Sequence, residues 1–250
     1  MVVEQQRTAI VTGAARRVGR ALAAMLAENG WTVLAHVRAE SDDIPPGTIK
    51  VAADLEDASA AARIFDAAAA LPPVALLVNN AARFAWDGPG KLDRDEFRRH
   101  LAINALAPAT LIEELARRRQ GGGDACVVNM LDSKLSAPNP DYLSYTVSKA
   151  ALSALTDLYA RALAPRGIRV NAVAPALMLR SNGQTEENFR AMHANNPLGR
   201  GIEPGHVAEA VLYLADAVAV TGQTLVVDGG QRFMALERDV QFLEAGSGKA

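Results

Sequence analysis

Seven short apolar runs recur along the chain, each followed by a stretch whose apolar residues fall three or four apart. The runs are Thr8 to Thr12, Trp31 to Val37, Ile49 to Ala53, Ala75 to Asn79, Ala125 to Met130, Arg169 to Ala174 and Thr224 to Asp228. Runs of this length read as strands buried on both faces, and patterns such as Ala21-Leu22-Ala23-Ala24-Met25-Leu26 read as helices. Their alternation predicts an α/β fold: one Rossmann-like, doubly wound domain over 1–250, with a seven-stranded parallel sheet and helices on both faces. Ligands of such sheets bind beyond the carboxyl ends of the strands, where the winding reverses. Asn80, Asp132, Tyr145 and Pro175 follow strand ends or begin helices there, so the candidate chemistry converges on one cleft.

The alternation breaks in two places. From Leu177 to about Arg200 it gives way to Met178-Leu179-Arg180-Ser181-Asn182-Gly183 and a polar helical stretch, Glu186 to Asn195, which predicts a substrate lid over 177–200. Residues 235–250 read as a polar extension ending in Gly246-Ser247-Gly248-Lys249, expected to fray at its tip and to reach toward a neighbouring subunit.

A chain of 250 residues that is 50% hydrophobic and 22% charged suits one large core better than two small ones. With 26 basic against 28 acidic residues, it offers no field for nucleic acid or an anionic membrane. The single Cys126 lies in an apolar strand, where a buried small hydrophobe is the expected role. The histidines, His36, His100, His193 and His206, lack metal-ligand spacing, so no metal site is expected. No disulfide framework, signal segment or run of membrane length is read, and the expected location is the cytoplasm.

The first strand leads into Thr12-Gly13-Ala14-Ala15-Arg16-Arg17-Val18-Gly19-Arg20 and then a helix. Gly13 and Gly19 permit a tight turn and close packing, and the helix offers N–H groups and its positive dipole end to a pyrophosphate. The second strand ends in Arg38, with no acid at its tip. An acid would bind a ribose 2′-hydroxyl, whereas arginine suits a 2′-phosphate, so NADPH is preferred over NADH. Arg16 is placed to reach the same phosphate.

Tyr145 and Lys149, four residues apart, share one face of a helix. An ammonium there can stabilise a partly ionised phenol and bring its proton chemistry toward neutral pH. With these motifs in hand, the chain from about Thr8 to about Arg232 resembles the short-chain dehydrogenase/reductase family. The resemblance extends to Asp54-Leu55 after the third strand, Asn79-Asn80-Ala81-Ala82 after the fourth, Asn104 in the next helix, Arg169 to Pro175 and Val226 to Gly230. It implies that Asp54 sits near the adenine, and that Asn80, Ala81 and Ala82 line the cofactor cleft. It implies further that Pro175 and Leu177 lie beside the nicotinamide, and that Asn104 holds a water in a proton relay with Lys149. Val18 belongs with the glycine turn in the same cofactor set. The resemblance also implies a homotetramer built through the helix that carries Tyr145.

Within the family the likeness is to pteridine and dihydromonapterin reductases. Asp132 stands thirteen positions before Tyr145, where carbonyl reductases place a serine. Phe84 stands where those enzymes stack an aromatic ring on the pterin, and Arg17 matches a residue near the pterin and the cofactor phosphates. The resemblance thus implies reduction of a dihydropterin, with Tyr145 and Asp132 delivering the proton and Lys149 with Asn104 replenishing it. Ala82 departs from a serine common in those enzymes. Two alternatives stay open: a carbonyl reductase or alcohol dehydrogenase acting through the adjacent Ser133, and a non-catalytic NADP-binding regulator.

Overall fold

Along β1 (Thr8–Val11), Ala9 and Val11 turn to one side of the sheet and Ile10 to the other, and each finds a separate core. The computed structural model describes residues 6–119, 123–181 and 183–243. The elements that follow are α1 (Arg17–Glu28), β2 (Thr32–Val37), β3 (Ile49–Ala52), α2 (Ala60–Ala67), β4 (Val74–Asn79), α3 (Arg94–Leu101) and α4 (Ala107–Arg118). The second half comprises β5 (Ala125–Met130), α5 (Leu143–Leu163), β6 (Ile168–Pro175), α6 (Glu186–His193), α7 (Pro204–Asp216) and β7 (Thr224–Val227). All seven strands are parallel, in the order β3-β2-β1-β4-β5-β6-β7.

The period of two repeats across the sheet and explains why both faces are covered. Leu76, Val78, Cys126 and Val128 join Ala9 and Val11 beneath α1 and α7, which contribute Leu22, Leu26, Val207, Val211 and Leu214. Leu77, Val127 and Val170 join Ile10 on the opposite side, beneath α2 and α4, with Ile64, Phe65, Leu111, Ile112 and Leu115. On α1 the buried residues Gly19, Leu22, Ala23 and Leu26 are spaced for a helix, so one stripe meets the sheet. Cys126 is fully buried, as its strand context predicted, and burial pushes its thiol up to about 11. No helix among the described residues is long and apolar enough to cross a membrane.

Because β1 lies between β2 and β4, the chain winds away from it in both directions, and a crevice opens at the carboxyl ends of β1 and β4. One feature around that crevice was not legible in the periodicity. Between α3 and α4, residues Ala102–Leu106 form a wide π-helical turn, with the Ala107 N–H bonded to the Ala102 carbonyl five residues back. Pro108 has no N–H to offer the carbonyl of Asn104, so the α-helical ladder cannot run through this point. Further on, α6 begins where Thr185 accepts from the Asn188 N–H at 3.1 Å, within the segment expected to be a lid. The described part of the C-terminal extension folds back onto its own chain, and its expected frayed tip lies in 244–250, outside the described residues.

Leu77 is fully buried at the centre of the second core. Leu77→Ala is expected to lower the unfolding free energy by about 2–5 kcal/mol in urea titration.

Candidate active site

The end of β1 is bolted to the end of β4. Thr12 Oγ1 accepts from the backbone N–H groups of Asn80 and Ala81, both at 3.0 Å, and Asn80 Nδ2 donates to the Thr12 carbonyl at 2.9 Å. At the turn that follows, Gly13 has φ +68°, and a Cβ on it would lie 2.9 Å from Ala81 Cα. A Cβ on Gly19 would lie 2.1 Å from the Gly13 carbonyl oxygen. Both glycines are therefore demanded by close backbone approach. The turn is held from behind by His36, whose Nδ1 accepts from the Gly13 N–H at 3.2 Å while Nε2 donates to the Ala53 carbonyl at 2.9 Å. Burial lowers the pKa of this imidazole, which keeps it neutral and its Nδ1 lone pair available.

The residues expected on the cofactor side lie in this turn and at or just beyond the carboxyl ends of β2, β3, β4 and β6. The first turn of α1 carries no acid and receives no side-chain cap, which leaves its N–H groups to an external anion. Val18 packs against the core beneath it. Arg16 and Arg17 are exposed, and Arg17 adopts φ +54°, a left-handed conformation costly for a side chain of that size. The Arg17 guanidinium donates to the carbonyls of Leu179 and Arg180 at 3.3 and 3.0 Å, so it ties the turn to the start of the lid segment. Arg38 and Asp54, both exposed, form a pair at 3.2 Å, with half-buried Leu55 next along the chain. Pro175 closes β6, and the following Ala176 N–H donates to Val227, leading into half-buried Leu177.

The residues expected to handle protons gather at the carboxyl end of β5 and the start of α5. Asp132 leaves β5 just after Leu131, whose N–H donates to Val173 at 2.8 Å. Its Oδ1 accepts from the Lys134 N–H at 2.9 Å, and its Oδ2 accepts from the Tyr145 hydroxyl at 3.0 Å. Lys149 Nζ donates to the Met130 carbonyl at 2.6 Å and lies 5.8 Å from the centre of the Tyr145 ring. Burial, followed by the Asp132 carboxylate, pushes the Tyr145 phenol well above its ordinary range. In the free protein this phenol is therefore raised rather than brought down as the Lys149 spacing predicts, because it is buried and hydrogen-bonded to the carboxylate while the ammonium is bonded elsewhere. Burial likewise pushes Asp132 up, against the hydrogen bonds from Lys134 and Tyr145. It lowers Lys149 to about 8, against the attraction of Asp132.

A third group holds the aromatic wall. Asn104, in the π-helical turn, accepts from the Arg83 N–H at 2.8 Å and donates to the Arg83 carbonyl at 3.0 Å and to Ser148 Oγ at 2.9 Å. The side chain that the resemblance assigns to a relay thus fixes the segment after Ala82 against α5. Two residues on, the Ala85 N–H donates to Nε2 of buried His100, whose Nδ1 donates to Ser144 Oγ at 2.7 Å. Phe84, pinned on both sides and 47% exposed, meets Tyr145 edge-on at 4.7 Å and stacks on Tyr142 at 4.2 Å. Tyr142, His36 and His100 were not singled out from the sequence. The histidines act on partners 23 and 44 positions away, which no local pattern reveals, whereas Tyr142 stands one helical turn before Tyr145 and was open to notice.

Comparison with known proteins places this geometry. A family model described as Enoyl-(Acyl carrier protein) reductase matches residues 13–232. An uncharacterized short-chain type dehydrogenase/reductase of Sinorhizobium fredii is 34% identical over 91% of the chain, which spans 44% of that relative's length. L-xylulose reductase of Homo sapiens is 32% identical, over 90% of this chain and 96% of its own. The crystal structure of FolM alternative dihydrofolate reductase 1 from Brucella suis, in complex with NADP, superposes with a TM-score of 0.84. It is 34% identical, over 93% of this chain and 97% of that one.

Both His36 and His100 are held neutral in the fold, with pKa values lowered from 6.5, first by burial. As pH falls through about 6.5, the unfolded chain takes up protons that the folded chain refuses, so stability falls and then levels off below the folded pKa values. Urea midpoints should drop between about pH 7.5 and about pH 5.5, and the drop should shrink in the double variant His36→Gln, His100→Gln.

Proposed function

The chain belongs to the short-chain dehydrogenase/reductase family and is an oxidoreductase, and from that premise we propose that it uses NADPH to reduce a pteridine ring. The observation that carries the reading is Asp132 hydrogen-bonded to Tyr145 with the exposed Phe84 ring set edge-on beside them. A carboxylate suits the amide-like and amino edge of a pterin, and a flat heteroaromatic gains on the order of 1 kcal/mol from ring packing beyond its buried area. The NADP-bound structural relative supports the same substrate class.

The residues fit a dinucleotide. Gly13 and Gly19 let backbone approach where a Cβ would collide, and the uncapped N-terminus of α1 suits a pyrophosphate. Arg38 and Arg16 are exposed beside it, and the Arg38–Asp54 surface pair yields to a 2′-phosphate at little cost. Asp54, Leu55, Asn80, Ala81, Ala82, Pro175 and Leu177 complete the cofactor side. When bound, NADPH supplies the hydride.

Reduction of a C=N bond also consumes a proton, delivered to the ring nitrogen by Tyr145 Oη. Negative charge left on the phenol is disfavoured by burial and by Asp132, which is why a cation must stand close. Lys149 is that cation. Its lowered pKa keeps the proton mobile, and Asp132, itself pushed up, can hold one in turn. Asn104 positions the wall that carries Phe84. Leu106, in the π-helical turn before α4, and Leu158, on α5, are exposed and support assembly into a homotetramer.

The competing reading, a carbonyl reductase working through Ser133, is less favoured because the Tyr145 hydroxyl is bonded to Asp132 rather than to its neighbour. The purified protein should oxidise NADPH with dihydropterins. Asp132→Ala should remove that turnover, and Ser133→Ala should leave most of it. Turnover of ketones alone, lost in Ser133→Ala, would establish the other reading. Tyr145→Phe should lower kcat by roughly 10²–10⁴. In a pH–rate profile, turnover should fall as pH rises through about 8, where Lys149 loses its charge.

A further inference from the structure

Residues 238–241 of the C-terminal segment lie against the loop that leads from Asp132 to α5. The Arg238 guanidinium meets the Asp141 carboxylate through two hydrogen bonds, Nε to Oδ2 at 2.7 Å and Nη2 to Oδ1 at 2.9 Å. The Asp239 N–H donates to the same Oδ2 at 2.9 Å. Lys134 Nζ reaches both sides of the junction, donating to the Asp141 carbonyl at 2.6 Å and to Asp239 Oδ2 at 3.3 Å. The Tyr142 hydroxyl donates to Gln241 Oε1.

This junction sits on a strained turn. Tyr142 is buried with φ +55°, a conformation that persists only where its surroundings over-determine it. Asp141 is 5% exposed, so its charge depends on the two-pronged guanidinium and the N–H that meet it. The loop in turn governs the catalytic pair. The Lys134 N–H orients Asp132 Oδ1, leaving Oδ2 for Tyr145, and Tyr142 is the ring on which Phe84 stacks.

We propose that Arg238 and Asp239 are positioning residues for the reaction: by clamping the 134–142 loop of their own chain, they fix Asp132 against Tyr145 and Tyr142 against Phe84. The proposal rests on the reading of Asp132 and Tyr145 as the proton-handling pair. The glycine turn is held by Thr12, Asn80 and His36, none of which touches the clamp, so the cofactor side should not respond to its loss.

The test is made on the full chain with Arg238→Ala, Asp239→Ala and Arg238→Lys. Both alanine variants should lower kcat for dihydropterin roughly tenfold to a hundredfold, as small misplacements of reacting groups do, with the KM for NADPH unchanged within about twofold. Arg238→Lys should recover part of the loss by keeping the charge without the fork. Amide hydrogen exchange supplies a readout that needs no substrate: exchange across 132–145 should quicken in Arg238→Ala while β1 and α1 keep wild-type protection. Quickened exchange in a protein that reduces no pterin would leave the clamp standing and remove the pteridine reading. Unchanged exchange at 132–145, exchange quickened evenly through the chain, or a loss confined to the KM for NADPH would overturn the clamp.

Discussion

The hydrogen bond from Tyr145 to Asp132 is the interaction on which the rest of the site depends. A buried phenol beside a buried carboxylate is an uncomfortable arrangement, since burial disfavours both charged forms and the carboxylate further raises the cost of ionising the phenol. It is stable only with one proton held between them and a cation close behind. Lys149 meets that need from the same helix, tethered by the Met130 carbonyl.

Most of the surrounding structure keeps this set in register with a cofactor cleft. The parallel sheet delivers Asp132 and Asn80 at the ends of neighbouring strands, β5 and β4, and the wide turn at Pro108 places Asn104 where its amide grips both Arg83 and Ser148. His36 and His100 do comparable work on the two sides, one behind the glycine turn and one behind the Phe84 segment. His100 meets the Tyr145 ring edge-on at 6.1 Å, but its two nitrogens are engaged by Ala85 and Ser144, as those of His36 are by Gly13 and Ala53. Each acts as a buried spacer with one donor and one acceptor nitrogen, which is why acid should loosen the fold.

The fold was legible because both faces of the sheet are covered: continuous apolar runs such as Ala125–Met130 leave little choice but a central parallel strand. The glycine turn was legible from motif spacing, and the pairing of Asp132 with Tyr145 from the family resemblance. The direction of the Tyr145 shift was not, because helical spacing puts Lys149 near the phenol but says nothing of which group its hydroxyl meets. The roles of His36, His100, Asp141 and Arg238 were equally hidden, since each depends on a partner distant in the sequence; Asp141 and Arg238 are 97 positions apart. Tertiary burial converts such residues from scattered polar positions into structural ones.

Burial and the Asp132 carboxylate, rather than Lys149, set the Tyr145 phenol in the free protein. Nuclear magnetic resonance of ring-labelled tyrosine in the free protein, followed across alkaline pH, tests this most directly. Tyr145 should stay protonated beyond the ordinary tyrosine value of about 10, and Asp132→Asn should bring its titration down. A Tyr145 that titrates below about 10 in the wild-type protein, or one indifferent to Asp132→Asn, would contradict it.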